Sequence, residues 1–365
     1  MLSRLPTTSS RHRWSAALVA ALFCCVACSP VSLRSGTVPA APAYVLRADV
    51  RAKPAGPFLY VAGYPMLSQY ALGSSKPLRS IVNYNCCESA TLAFDLHGHL
   101  CIANGNPSAA QVYEYDPRTL KLLQTLNGVG TFLALVANRS GYLYASTGDP
   151  WVYVYAPGCT QRVHVIRTCP HRGPFASQGL VFDPSGDLYM GNGANVGPVC
   201  VYAPTQRPGH VKFMRAIRAG IDYPGPLAMG PSGELFVANE GGARAFITVY
   251  AAGGSTPVRK VTDGIKDPRA LAVDSEGWLY VANDPNRGSG PFGWISVYAP
   301  GTSRLMRKVK VYSPTALALD PSGNLYVIDS SPHTSVLVYS PGAAKLLRTI
   351  TAGVGIANGL IVGSP

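Results

Sequence analysis

The sequence predicts an all-β propeller, read as seven four-stranded blades with six as the alternative. Three observations carry this. An anchor glycine recurs at Gly98, Gly141, Gly186, Gly233, Gly277 and Gly323, with spacings of 43, 45, 47, 44 and 46 residues. Around each glycine lie four short apolar runs with strand length and composition, cut by Asp, Gly and Pro turns. The two ends of the region are incomplete in complementary ways, so that one supplies what the other lacks.

Taken in chain order, residues 1–28 differ in kind from the rest. Arg4, Arg11 and Arg13 precede the apolar run SAALVAALFCCVAC, which is too short to span a bilayer and reads as a secretory signal peptide. Its end, Cys25-Val26-Ala27-Cys28-Ser29, resembles a bacterial lipoprotein signal, in which Cys28 would carry the lipid anchor, although Cys25 stands where that signal usually has Leu. Residues 29–57 are rich in Pro and Ala without period and read as a linker. The expected setting is extracytoplasmic, in a bacterial cell envelope, lipid-anchored or secreted.

The propeller is expected over residues 58–363. Residues 58–82 hold FLYVAG, LSQYAL and PLRSIV, three strands with no first strand, and IANGLIVG at 356–363 is a first strand with nothing after it. Joining them completes a blade and removes the exposed edges of an open array. The six intact copies each hold a turn and second strand such as VDSEGWLYVAN, a third such as ISVYA and a fourth such as LMRKV. Second strands are apolar on both faces, as suits a sheet sandwiched between neighbours, while fourth strands alternate as an outer wall would.

With Cys24, Cys25 and Cys28 in the leader, six cysteines remain, an even number in an oxidising compartment. Cys159 and Cys169 flank one strand and are the first candidate pair; Cys86 or Cys87 with Cys101 is the next, and spacing leaves the connectivity open. No paired CxxC motif indicates a zinc site. The net charge of +13 falls to about +10 without the three leader arginines, since 28 basic residues then face 18 acids. Much of it lies on fourth strands, where it discourages edge pairing or forms a belt facing anionic lipid or polymer. Export and the lack of a stacking platform argue against nucleic acid.

The pattern P-x-x-L-A-x-D-x-x-G-x-L-Y-V-A-N followed by I-x-V-Y, clearest at 268–298 and 314–339, resembles the NHL repeat and, more loosely, gluconolactonase-like and streptogramin-lyase-like propellers. Those motif residues form turns and pack blades, so the resemblance implies architecture more than chemistry. The repeat's usual Asp after the second strand is mostly Asn here, at Asn104, Asn192, Asn239 and Asn283, with Asp only at Asp329; either is expected to bond its own backbone two residues on.

The variable loops between second and third strands share the top face with the blade-to-blade connections. They offer Glu240, Arg244, Asp284, Arg287, Phe292 and Trp294 as candidate ligand-binding residues. The leading reading is a non-catalytic module that binds a protein, glycan or small ligand there, as a monomer and without a cofactor. The alternative, which the looser resemblance implies, is a metal-dependent lactonase or lyase holding calcium in the funnel. It would draw on Glu88, Asn358 and His333, but the matching positions elsewhere are Thr131, Gln178, Pro226, Arg269 and Thr315, a poor cage for a hard cation. No GxSxG elbow occurs, and the histidines, His97 and His99 in a bottom turn among them, form no HExxH pair.

Overall fold

The structure is a computed structural model that describes residues 56–82, 90–104, 111–127, 131–167, 169, 177–193, 197–240, 244–285, 292–331 and 333–364. The leader with Cys28, most of the linker, Cys86, Cys87, Glu88 and Arg287 lie outside these residues. The described chain forms seven four-stranded antiparallel sheets. The first blade runs, from the inside outward, Ile356–Gly363, Phe58–Tyr64, Met66–Ala71 and Arg79–Val82. The other six follow chain order, with inner strands Ala90–Phe94, Phe132–Ala137, Ser177–Phe182, Pro224–Met229, Pro268–Val273 and Pro314–Leu319. Each inner strand touches the next, and the last touches the first, so the ring is closed around a channel. The closing strand pairs from Phe58 opposite Gly363 to Tyr64 opposite Ile356, which leaves neither end of the array as an open edge.

Burial explains the composition. Second strands such as Leu100–Asn104, Leu235–Asn239 and Leu279–Asn283 are buried along their whole length, because each packs against a neighbouring blade on both faces. The core is therefore divided among blade interfaces. At one of them Tyr280, Ala282 and Ile295 of the sixth blade meet Leu325, Val327 and Ala343 of the seventh.

The repeated turn has a clear cause. Asp274 Oδ1 accepts from the backbone N–H groups of Glu276 and Trp278 at 3.0 and 2.9 Å, and Oδ2 takes the Tyr280 hydroxyl at 3.0 Å. Asp320 does the same for Ser322, Asn324 and Tyr326. Gly277 sits at φ +88°, a left-handed conformation that a Cβ disfavours, which is why the anchor is glycine.

The Asn after the second strand does more than turn on itself. Asn239 Nδ2 donates to Val237 O, two residues back rather than two residues on as expected, and its Oδ1 accepts from Asp222 N at 2.8 Å, across the incoming connection. Asn283 repeats this with Lys266 N, and Asp329 accepts from both Tyr312 and Ser313 N–H. The third-strand tyrosines latch the same connections: the hydroxyls of Tyr70, Tyr250 and Tyr298 donate to Ala352, Ala219 and Asp263 carbonyls.

Several basic residues of the outer wall are engaged rather than free. Lys260 and Lys308 ammonium groups lie 3.7 and 3.6 Å from the ring centres of Phe246 and Trp294. Arg215 donates to Gly253 O and Ser255 Oγ, and Arg348 to Tyr326 Oη.

The expected Cys159–Cys169 pair does not form. Cys169 is bonded to Cys200, with Cα atoms 5.7 Å apart, and Cys159 is a free buried thiol beside Cys101. Cys159 lies in the bottom turn and Cys169 beyond the top end of the strand Arg162–Arg167. Six extended residues separate the two ends by roughly 20 Å, too far for a disulfide.

Candidate functional site at the mouth of the central channel

In six of the seven blades the inner strand pairs imperfectly near its start. The ladder skips Leu133, Gln178, Arg269, Thr315 and Asn358, and in the fifth blade it skips both Gly225 and Pro226. The second blade pairs from Ala90 opposite Asn104 without a skip. Each skipped residue is a β-bulge, which re-aims a side chain away from the ladder. One edge of an inner strand is paired with the second strand and the other borders the channel, so the bulges form a ring at the channel's top end.

This register replaces one expected position. Thr131 precedes the inner strand of the third blade, and the residue on the ring there is Leu133, 38% exposed although apolar. Asn358 and Arg269 are half-buried and stand on the ring as expected. Around the ring the sixth, seventh and first blades are consecutive, which brings Arg269, Thr315 and Asn358 into one arc. Among the described residues, neither Arg269 nor Asn358 has a hydrogen-bonding or ionic partner, and Thr315 Oγ1 is buried without one. An unpaired guanidinium on the channel rim can hold an anion, and Thr315 and Asn358 stand on the next two blades of the same arc. The arc does not suit a cation, and no carboxylate stands at the six bulges.

The other candidates divide between the mouth and the outer rim. The Glu240 carboxylate packs over Gly225 so closely that a Cβ there would fall 2.2 Å from Oε1. Arg244 is exposed on the loop leading to Phe246. Asp284 is only 2% exposed and accepts the Ser313 hydroxyl at 2.8 Å, so it joins the sixth blade to the seventh rather than facing solvent. Trp294 donates its indole N–H to Gly264 O at 2.8 Å. Phe292 is 44% exposed, edge-on to Tyr312, with Lys310 3.3 Å from its ring centre. His333 is exposed on the loop between second and third strands of the seventh blade, and no hydrogen bond joins it to Asn358.

Solved structures share this architecture. A protein from Lactobacillus plantarum is 14% identical, with 84% of this chain matching 99% of that one at a TM-score of 0.65. A candidate 6-phosphogluconolactonase from Bacteroides uniformis is 13% identical over the same shares, also at 0.65. Hydrazine synthase from Kuenenia stuttgartiensis is 17% identical, with 68% of this chain matching 75% of that one at 0.55. At such identities the likeness is one of fold. No family model matches the chain, and no curated protein does.

Sequence reasoning found the ring's positions only in part, because a bulge is a feature of pairing and leaves no fixed residue type. The signal it does leave is a residue at the inner-strand start that breaks the apolar run, as Arg269 and Asn358 do.

Proposed function

We propose that the chain is an extracytoplasmic propeller that binds a small anionic ligand at the channel mouth without transforming it. The observation that carries this is the arc of Arg269, Thr315 and Asn358, three polar bulge residues on consecutive blades left without partners. An Arg free of any carboxylate is poised for bidentate contact with a phosphate or carboxylate. Glu240 borders the same opening and would select against ligands with charge on that side. The repeat's likeness to NHL propellers agrees with a binding role, and the disulfide agrees with export, with Cys28 as the proposed anchor in the envelope.

The fold likeness to a candidate 6-phosphogluconolactonase suggests the first compounds to try. Thermal melting with 6-phosphogluconate, citrate and inorganic phosphate is expected to show a rise with at least one anion, and no rise in Arg269→Gln. Equal shifts in both proteins would remove the arc from the account. Turnover of 6-phosphogluconolactone that Asn358→Ala abolishes would favour the lactonase reading instead.

A further inference from the structure

The turn between the first two strands of the second blade departs from its repeats at several positions that meet in space. Aligned on the anchor glycine, the column holding Tyr60, Tyr144, Tyr189, Phe236, Tyr280 and Tyr326 holds Cys101 here. The column with Val154, Val201, Val249, Val297 and Val338 holds Glu114, with Gln69 in the first blade the other polar exception. His97 stands where four blades have Ser, and His99 where the seventh blade has Asn324. Cys159 of the adjoining third blade occupies the place that Ala343 fills in the seventh.

These substitutions rebuild one blade junction. At the sixth blade the tyrosine hydroxyl mediates, since Gly342 N donates to Tyr280 Oη, which donates to Asp274 Oδ2. With Cys101 in that column, Gly158 N reaches Asp95 Oδ2 directly at 3.0 Å. Asp95 Oδ1 still holds the turn through His97 and His99 N–H. The space left by the tyrosine is ringed by donors: His97 Nδ1 and His99 Nδ1 each lie 3.6 Å from Asp95 Oδ2, and Glu114 Oε1 lies 2.5 Å from His99 Nδ1. That last contact lacks hydrogen-bond alignment and leaves His99 Nδ1 buried without a hydrogen-bond partner.

We propose that Asp95, His97 and His99 bind a late first-row divalent cation, zinc above all, at the bottom of the second blade, with Glu114, which lies against the same nitrogen of His99, as a fourth ligand. The three donor atoms lie within 4.8 Å of one another. Ligands about 2.1 Å from a tetrahedral zinc are separated by about 3.4 Å, close to the 3.6 Å that separates each imidazole Nδ1 from Asp95 Oδ2, whereas Glu114 Oε1, 2.5 Å from His99 Nδ1, would have to draw back to ligate. Two imidazoles and carboxylates favour zinc over calcium, which takes oxygen ligands alone. The shallow pocket lined by His97, Gly98, His99, Asp116, Pro117 and Arg118 leaves solvent access for entry. This site is on the face opposite the channel mouth and does not depend on the reading of that mouth.

The test uses the full chain stripped of metal and titrated calorimetrically with zinc chloride, beside the variant His97→Ser/His99→Asn. Those residues occur in the same turn of other blades, so the variant is built to fold, and its metal-free melting temperature checks that it does. One zinc per chain is expected in the native protein, with affinity reduced about 100-fold or more in the variant. Cobalt in place of zinc should give a visible absorption band of four-coordinate intensity that the variant lacks. Absence of zinc binding to the native chain would overturn the proposal. So would undiminished binding in the variant, which would point to the stacked pair His164 and His210 instead.

Discussion

Gly359 shows how little freedom the closing strand has. A Cβ on it would lie 2.2 Å from Ala90 O and 2.4 Å from a Leu92 methyl carbon, in the neighbouring inner strand. Backbone cannot yield as a flexible side chain can, so the ring closes only because that position is glycine. Gly359→Ala is expected to cost about 1–3 kcal/mol, read as a lower urea midpoint with an unchanged m-value. Asp284 teaches the converse lesson at the same scale. Its charge and loop position suggest a ligand contact, yet its burial against the Ser313 hydroxyl makes it part of the joint between two blades.

Among the elements, the connection into the fourth blade carries a covalent tie at Cys169. The Cys169–Cys200 bond ties that connection to the third strand of the blade it enters, across a separation of 31 residues. By loop-closure entropy such a cross-link is worth about 3–4 kcal/mol, and Cys169→Ser/Cys200→Ser should lose that amount in denaturant melts. The same two blades meet again where the His164 ring stacks on His210 at 3.9 Å. Burial lowers both histidines from their ordinary value of 6.5; the positive charge of His210 adds to this for His164, and that of Arg207 for both. With lowered values the unfolded chain binds more protons than the folded one just below pH 6.5, so stability is full above that pH and falls as acid is added. Melting followed between pH 7.5 and 5 should show this decline, and His210→Gln should lessen it, since burial and Arg207 still act on His164. A slope unchanged in His210→Gln would place the titrating group elsewhere.

At the scale of the whole molecule, the architecture was legible because a propeller writes its period into the chain. The anchor glycines, the apolar second strands and the complementary ends were each local signals that pointed to seven blades and a shared first blade. What the sequence hid was set by pairing and by meetings between blades. The bulges that carry Arg269 and Asn358 follow from ladder register, and the disulfide joins residues that only the fold brings near. Asp95, His97 and His99 lie in plain sight within one turn, but Glu114 comes to them from another strand and Cys159 from the bottom turn of the next blade. Comparing columns across the repeats, rather than scanning for a motif, would have singled them out.

The anion site proposed on the bulge ring at the channel mouth is tested most directly by calorimetric titration of 6-phosphogluconate into the native chain and Arg269→Gln at two salt concentrations. The account predicts one site, weakened by salt, with affinity about 10- to 100-fold lower in the variant, as the loss of a charged hydrogen bond implies. Native binding with the same affinity in Arg269→Gln, or no binding of this or any other phosphorylated or carboxylated probe, would contradict it.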